Sequence, residues 1–525
     1  MHTVIGIFLK KNKIKMKKSI FLAGLMLSFS AMNSQEIPDA LRYAQDNLQG
    51  TARFSAMSGA FGALGGDLSA MNINPAGSAV FLNNQAGGTI SNFSNTNNSS
   101  YFGTDKKTKE NSFALNQAGG VFVFEDYSEK SDWKKFVIGL NYENTNNFDN
   151  AFTSSGVNPN NSVANYFLSY ANPNSNQNVA PYDLVQGGFY DDLNFADQQA
   201  FLGYQAYVIN PNEVPNTSFY VANNPGGNYK QENSFISTGY NGKLTFNGAA
   251  SYKDKILVGL NFNSHFSDYR RVTRFTESNT NSETTGLRSL TFSNDLYTYG
   301  SGLSFNLGII GKINKEIRAG LAWESPTWYT LNDELKQDLR STGFNYIDPN
   351  NNSQTIAGLS DANPDSDVVI KYAPYKLQTP SKITGSFAYI FGKKGLISID
   401  YALKDYSNTK FKDNDASSVL INQTMNTILD KTEEVRIGAE YRYKQFSFRA
   451  GHRREQSPYK NNWTVGNLRG YSGGVGYNFG DTRLDVSYNR TEQTNNQSFF
   501  QQGLTDGAKI KSINNNISLT LLFEL

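Results

Sequence analysis

The sequence predicts an all-β protein, a transmembrane antiparallel β-barrel of about 14 strands with a small N-terminal plug, or hatch, in its lumen. Three observations carry this prediction. Many segments after residue 84 alternate apolar and polar residues, as strands with one apolar and one polar face do. Short turns and long polar stretches join these segments, which is typical of transmembrane barrels. The final residues alternate to the end of the chain, as a strand that closes a barrel would.

The composition agrees with a barrel and excludes several other classes. The chain has 525 residues and no cysteine, so it has neither a disulfide framework nor thiolate metal sites. A mean hydropathy of -0.50 argues against a helical membrane protein. The 30 tyrosines, 36 phenylalanines and 45 glycines fit a barrel in which aromatic girdles face lipid and the lumen stays polar.

Residues 1–34 have the pattern of an export signal. Two lysines precede a short apolar run, Ile20–Phe29, and small residues follow up to a predicted cleavage site near Ser34. Met16 is the expected start, which leaves residues 1–15 as an upstream extension. Residues 1–34 hold six lysines and no acid, so the remainder of the chain is net acidic and carries no basic stripe for nucleic acid.

Residues 35–84 are predicted to form the hatch. The stretch 51–81 is rich in glycine and alanine and is too broken by glycine for one helix, and a glycine-rich linker is the alternative interpretation. Within it, Asn74, Pro75 and Ala76 predict a tight turn. Pro75 fixes its own φ and disfavours helix at Asn74, whose side chain can bond to nearby backbone.

Three large apolar residues of the hatch, Phe54, Phe61 and Leu64, are the candidate ligand contacts. They are chosen because an apolar molecule in a plugged lumen would meet apolar side chains of the plug.

Residues 85–525 are predicted to form the barrel, with both chain ends in the periplasm. A soluble sandwich would show similar alternation, but the spacing of turns and loops favours a barrel. Two long polar stretches, 147–233 and 329–376, are predicted to be extracellular loops. The predicted strands span 85–94, 112–124, 134–146, 235–252, 255–268, 288–313, 316–328, 377–392, 395–409, 432–444, 445–458, 468–480, 482–493 and 509–525.

The first long loop is predicted to contain helices at 161–171 and 194–208, because both stretches carry several large apolar residues. Two interpretations stay open. The apolar residues pack the loop onto itself, or they form an external patch that captures an apolar ligand.

A row of charges is expected to face the lumen: Glu434, Arg436, Glu440, Arg442 and Arg449. Such a row is either a charged selectivity filter or a set of cross-strand ion pairs that stiffen the wall, and ion pairs are the preferred interpretation.

The sequence contains few residues in patterns that are typical of catalytic sites. After residue 34 the chain holds two histidines, His265 and His452, and no GxSxG-type nucleophile, so the sequence predicts no enzyme, catalytic residue, metal or cofactor. An outer-membrane adhesin or structural barrel, and a haem or other ligand receptor, are the alternatives.

Several blocks resemble the FadL/TodX family of outer-membrane transporters. The Asn-Pro-Ala turn at 74–76 is similar to the NPA motif of the family's hatch. The segments 379–383 and 399–407 (TPSKI and IDYALKDYS), 435–441 with 449–451, and 473–477 are similar to its C-terminal strand blocks, with Tyr406 where the family often has Trp.

The resemblance implies a monomeric, fourteen-stranded barrel in the Gram-negative outer membrane that takes up long-chain fatty acids or other hydrophobic compounds. It implies ligand capture by outer loops, binding in the lumen, and lateral release into outer-membrane lipid through a gap made by a kinked strand. The position of the kink stays open between Gly139 in the third strand and Gly119-Gly120 in the second.

Overall fold

A computed structural model describes residues 36–525 apart from 46, 128–129, 173–188, 214–216, 225, 283–285, 345, 348–354, 357–367 and 414. The predicted signal peptide and upstream extension lie outside the described residues. Nineteen strands form one antiparallel sheet, and two small hairpins, β5–β6 and β12–β13, stand apart from it. The strands are β1 (Gln85–Tyr101), β2 (Thr104–Glu125), β3 (Trp133–Asn147), β4 (Asn150–Asn158), β5 (Ile209–Pro211), β6 (Tyr220–Ala222), β7 (Tyr229–Tyr252), β8 (Ile256–Asn279), β9 (Gly286–Lys312), β10 (Ile317–Glu324), β11 (Trp328–Phe344), β12 (Tyr346–Ile347), β13 (Thr355–Ile356), β14 (Val369–Lys371), β15 (Tyr375–Gln378), β16 (Lys382–Phe391), β17 (Gly395–Asp405), β18 (Lys410–Phe411), β19 (Lys431–Tyr443), β20 (Phe446–Glu455), β21 (Leu468–Asn478), β22 (Thr482–Ser498) and β23 (Gly507–Glu524).

The sheet closes into a barrel of fourteen staves. Four staves consist of consecutive strands: β3 with β4, β10 with β11, β14 and β15 with β16, and β17 with β18. The first and last strands pair from Gln85↔Glu524 to Ser100↔Lys509, so this edge of the sheet is closed. The predicted fold class and strand number are confirmed.

The two faces of the wall differ as the alternation predicts. On β8, the side chains of Leu260 and Phe262 are 51% and 52% exposed and point outward, whereas Asn261 between them points inward and is buried. Outward rows of apolar residues recur around the barrel, which gives it the lipid-facing band of a membrane-spanning barrel. Among the described residues, no helix is long and apolar enough to cross a membrane.

Short turns lie at the end of the barrel that we call inner, and long connections lie at the outer end. Several strands extend beyond their predicted ends on the outer side. β1 and β2 continue to a two-residue turn at Phe102-Gly103, where φ is 42° and 77°, so the loop predicted between 94 and 112 is a long hairpin. Asn, Ser and Thr dominate this extension, so it lacks the apolar face on which the strand prediction depended.

The two predicted long loops are shorter than expected. Within the first, 147–233, β4 and the beginning of β7 belong to the sheet. Within the second, 329–376, most of β11 belongs to the sheet and pairs with β9 as far as Phe344↔Gly286. The first loop contains the two predicted helices, α3 (Ala164–Ala171) and α4 (Phe195–Gln205) in the numbering used below.

The hatch lies inside the barrel. It contains α1 (Ile37–Ala44) at the outer end, α2 (Ala52–Ala56), and two 3-10 turns, Ala70–Asn72 and Pro75–Val80. Most of its residues from 49 to 81 are buried against the inner face of the wall. The outer connection between β18 and β19 holds the fifth helix, α5 (Ala416–Ile428).

Candidate functional site: the hatch, the upper lumen and the wall seam

The Asn-Pro-Ala turn joins the hatch to the wall. The Asn74 side chain accepts a hydrogen bond from the Ala76 N–H at 3.1 Å, which closes the turn. The same side chain donates to the carbonyl oxygen of Gly62 at 2.7 Å and to that of Ile309 on β9 at 3.1 Å. One buried amide therefore holds together its own turn, a second segment of the hatch, and the barrel wall.

Glycines of the wall allow this close approach. A Cβ atom on Gly259 of β8 would lie 2.3 Å from the carbonyl carbon of Pro75, and one on Gly308 would lie 2.0 Å from the Asn74 side-chain oxygen. A Cβ on Gly320 would lie 2.4 Å from the carbonyl oxygen of Gly62. The hatch therefore contacts the wall at positions where no side chain larger than hydrogen fits.

A buried charge network fixes the middle of the hatch. Arg53 of α2 donates to Glu440 of β19 at 2.9 Å, and Arg449 of β20 donates to the same carboxylate at 2.7 Å. Arg449 also pairs with Asp485 of β22 at 2.6 Å. The predicted lumen-facing ion pairs are thus present, and the hatch contributes one of the cations. All four groups are buried, so removing one would leave the others without full compensation.

Charged side chains of the wall also form hydrogen bonds with the backbone of the hatch. Asp400 accepts hydrogen bonds from the N–H groups of Phe61 and Gly62 at 3.0 to 3.2 Å. Arg318 donates to the Leu64 carbonyl at 2.8 Å. These bonds satisfy backbone groups that a helix or sheet would otherwise satisfy, so the wall supplies order that the glycine-rich segment lacks.

Phe54, Phe61 and Leu64 are buried in the hatch itself. The rings of Phe54 and Phe61 pack with centroids 5.5 Å apart, and all three residues join a cluster with Met57 of the hatch and Leu396 of the wall. They are at most 3% exposed, so in this conformation they are core residues of the hatch. Their contact with a ligand remains a prediction.

An aromatic cluster surrounds α1 in the upper lumen. Leu41 and Tyr43 of the helix are both buried in this cluster, beneath α5, and Tyr43 packs against Tyr329 of the wall. The sequence analysis did not identify this cluster, because its members come from distant loops and strands. The remaining buried members are Ala40, Ala44, Leu331, Tyr375, Leu377, Tyr406, Phe411, Ile421, Met425, Leu429 and Tyr459.

A charged group lies beside this cluster. Asp39 of α1 forms an ion pair with Arg42 and a second with Arg271 of β8, and the Arg42 guanidinium stacks on the Tyr269 ring at 3.7 Å. Desolvation beneath the outer loops, together with the nearby Asp39 carboxylate, raises the pKa of Glu36 to about 7. The upper lumen thus combines apolar rings with a carboxyl group that titrates near neutral pH.

The apolar residues of the first outer loop pack onto the loop itself. The rings of Phe167 and Phe292 lie 5.3 Å apart, and α3 and α4 bury Phe167, Leu202 and Tyr204 against the outer ends of β8 and β9. Of the two interpretations left open, the structure supports internal packing.

The third stave contains a break that opens a seam in the wall. β2 and β3 pair from Glu125↔Lys135 only to Gln117↔Glu143, and the described residues of β2 above Gln117 form no ladder with β3 or β4. β4 instead remains paired with β7 and lies against the inner face of β1, where Asn97 donates to the Ala151 carbonyl at 2.7 Å. We call the unpaired line between residues 104–116 and β4 the seam.

The break falls at Phe148-Asp149, between β3 and β4. Opposite it, Gly239 of β7 has a φ of 113°, which disfavours other residues, and its N–H donates to the Asp149 carboxylate at 3.2 Å. The bend therefore lies at neither of the glycine positions considered from sequence. Gly139 is in the regular part of β3, and Gly119-Gly120 is paired with both neighbours of β2.

The two histidines take part in wall hydrogen bonds. The His265 imidazole contacts the Ser304 hydroxyl at 2.8 Å, and Asn263 donates to that hydroxyl at 3.0 Å. Ser304 is 1% exposed within this polar ladder. The His452 ring contacts the Gly470 carbonyl at 2.9 Å.

Comparisons with known proteins found similarity in structure alone. No protein-family model and no curated protein matches the sequence. The crystal structure of a Pseudomonas aeruginosa FadL homologue is 12% identical, covers 91% of this chain and 99% of its own, and has a TM-score of 0.52. The Pseudomonas putida toluene transporter TodX is 12% identical with 91% and 99% coverage and a TM-score of 0.48, and the Ralstonia pickettii toluene transporter TbuX is 14% identical with 91% and 100% coverage and a TM-score of 0.46. The likeness to the FadL homologue shows that this chain has the same fold as that protein.

Proposed function

We propose that this protein takes up hydrophobic small molecules, such as long-chain fatty acids, across the outer membrane. A molecule binds at the outer loops, moves into the aromatic cluster around α1 as its side chains part, and leaves sideways through the seam into the bilayer. Two features together carry the proposal. The hatch is bonded across the lumen, and a wall stave breaks at Phe148, whose ring lies 6.4 Å from that of Tyr43 in the aromatic cluster.

Physical reasoning supports a lateral route. The hatch fills the lumen with buried residues, so a direct aqueous passage would require it to leave. An apolar solute that passes directly from an apolar protein site to hydrocarbon avoids the free-energy cost of crossing water. Along the seam, no strand ladder has to be broken for the wall to part.

The aromatic cluster around α1 also suits the chemistry of a fatty acid. Its aromatic and aliphatic side chains would contact an alkyl chain, and a ligand carboxylate would compete with Asp39 for Arg271, which lies 3.5 Å from that acid. An uncharged aromatic hydrocarbon would use the rings alone. The two substrate classes are therefore expected to respond differently to loss of Arg271.

The test is an uptake assay in a Gram-negative host that lacks its own long-chain fatty-acid porin. Labelled oleate, toluene and a long alkane are supplied separately, and cells with an empty vector are the control. Saturable uptake of at least one compound is expected. Uptake equal to that of the vector for all three, with folded protein in the outer membrane, would refute the proposal and favour an adhesin or structural barrel.

The hatch variant Asn74→Ala with Pro75→Ala is the second arm of this test. It removes the bonds to Gly62 and Ile309 while leaving the strand ladder intact, so normal assembly with altered uptake is expected. Unchanged uptake and unchanged leakage of small polar solutes would mean that this turn does not gate the route.

A further inference from the structure

Strands β2, β1, β23 and β22 present successive rows of outward side chains above the membrane band. The last apolar row contains Phe113 of β2, Ile517 of β23 and Tyr488 of β22, paired through Asn92 of β1. Because outward residues recur every second position, the rows above it can be read from the strand register.

Four lysines occupy these upper rows. Lys109 is two rows above Phe113, and Lys107 is three rows above it. Lys511 lies in the same row as Lys107, on the other side of Asn98, and Lys509 lies one row higher. We call Lys107, Lys109, Lys509 and Lys511 the lysine patch.

The patch has an excess of positive charge. Lys511 pairs with Glu492 at 3.1 Å, and Arg490 pairs with the same carboxylate at 2.6 Å. Asp105 is the other outward acid of these rows. Among the described residues, no carboxylate lies within ion-pair distance of Lys107, Lys109 or Lys509, so five cations face two acids.

Several outward charges on other strands above the membrane band are arranged in pairs. Arg270 of β8 pairs with Asp295 at 2.6 Å, and Lys371 of β14 pairs with Glu334 at 3.3 Å. Arg340 contacts Asp338 at 3.1 Å. The lysine patch differs from these neutral pairs because its cations outnumber its acids, which points to an anionic partner.

The height of the patch identifies the partner. Each row adds about 7 Å along a strand, and a strand tilt of about 40° reduces this to about 5 Å along the membrane normal. The four lysines therefore lie about 10 to 20 Å above the last apolar row. In an outer membrane, the anionic groups at this height in the outer leaflet are the phosphates of lipopolysaccharide.

We propose that the lysine patch binds the phosphate groups of a lipopolysaccharide molecule whose acyl chains lie on the apolar rows below. Lys107 and Lys511 flank β1, so their Cα atoms are about two strand spacings, or about 10 Å, apart. Flexible lysines at this separation can contact one phosphate together or two neighbouring phosphates. The bound glycolipid would lie beside the seam, which follows the opposite edge of β2.

The experiment measures binding of fluorescent bisphosphorylated lipid A to the purified full-length barrel in detergent. One variant carries Lys107→Gln, Lys109→Gln, Lys509→Gln and Lys511→Gln. The control carries Lys230→Gln, Lys376→Gln, Lys410→Gln and Lys412→Gln, which removes the same charge from exposed positions on other strands. Heat-modifiability on gels verifies that both variants are folded.

Binding about 100-fold weaker in the patch variant, with little change in the control, is expected at low salt. Lipid A stripped of its phosphates should bind the wild type as weakly as intact lipid A binds the patch variant. Phosphatidylglycerol and inorganic phosphate should compete poorly, because neither combines several phosphates with lipid chains.

Equal loss in the patch and control variants would refute the proposal, since it would show an effect of net charge alone. Binding that does not depend on the lipid A phosphates, or full displacement by inorganic phosphate, would also refute it. These outcomes are independent of hydrophobic uptake, which the assay does not measure.

Discussion

At the scale of single residues, the hatch is held by a few polar side chains and by glycines that let it approach the wall. Asn74 was identifiable from sequence, because an Asn before Pro predicts a backbone-bonded turn. Arg53 and its partner Glu440 were not, because a cation in an irregular segment has no strand register to indicate its partner. Gly259 and Gly308 carry no signal in sequence, since the need for glycine comes from a segment about 180 residues or more away.

The close contact at Gly259 gives the first prediction. In Gly259→Ala, the added Cβ would lie 2.3 Å from Pro75 backbone, so the Asn-Pro-Ala turn must shift at a cost of about 1–3 kcal/mol. We expect normal barrel assembly and increased leakage of small polar solutes into cells. Gly311→Ala is the matched control, because no atom lies within 4 Å of its added Cβ. Equal leakage in both variants would contradict this role of the contact.

The charge network gives the second prediction. Glu440→Gln leaves Arg53 and Arg449 buried without their shared carboxylate, which is expected to destabilise the docked hatch by about 3–5 kcal/mol. Amide hydrogen exchange of residues 51–66 should become faster and thermal unfolding should occur at a lower temperature. Asp295→Asn, which breaks the exposed pair with Arg270, should behave as wild type. Unchanged exchange in Glu440→Gln would show that the network does not hold the hatch.

At the scale of elements, the sequence predicted the wall well and its outer extensions poorly. The apolar rows at 256–263 and 434–443 fixed β8 and β19 to within a few residues near the inner end. Above the membrane, strands rich in Asn, Ser and Thr are stabilised by the ladder itself rather than by an apolar face, so β4 and the long β1–β2 hairpin were assigned to loops. The break at Phe148-Asp149 lies opposite a glycine of β7 and is bonded to it. The alternation of residues within β3 alone therefore does not predict the break.

Docking of α1 gives the third prediction, a pH dependence. The docked state raises the pKa of Glu36 from 4.5 to about 7, chiefly by desolvation and then by Asp39, against opposing effects of Arg271, Gln501 and Arg42. The docked helix thus favours the protonated carboxyl. The contribution of Glu36 to the stability of the docked helix is fully present below pH 4.5 and is lost as pH rises through about 7.

The measurement is amide exchange of residues 37–44 at about pH 5.5 and about pH 8.5, corrected for intrinsic exchange rates. Protection of the wild type should fall at the higher pH, whereas Glu36→Gln should be protected equally at both. A wild-type protein with no such pH dependence, or a variant that retains it, would contradict the assignment to Glu36.

At the scale of the whole molecule, the fold and the transport proposal have different support. The closed barrel of fourteen staves follows from strand patterning and is confirmed by the structure. The aromatic cluster around α1 could not be predicted, because residues from α1, α5 and several strands meet there only after closure. The route through the seam is the central claim that remains to be measured.

A disulfide that holds β4 against β1, beside the seam, tests that claim most directly. The hydroxyls of Ser99 on β1 and Ser154 on β4 lie 2.5 Å apart, so cysteines at both positions can form a disulfide that ties β4 to the inner face of β1. The control pair is Ser91 and Ser518, whose hydroxyls lie 2.7 Å apart within the paired ladder of β1 and β23. The chain has no other cysteine to interfere.

The measurement is the initial uptake rate of the hydrophobic compound identified in the uptake assay, before and after reduction of the disulfide. If the seam must part for release, the oxidised Ser99→Cys, Ser154→Cys protein should take up the compound at least about tenfold more slowly, and a reductant should restore the rate. The oxidised Ser91→Cys, Ser518→Cys protein should transport at the wild-type rate. Full uptake by the first variant with its disulfide completely formed would contradict lateral release through the seam.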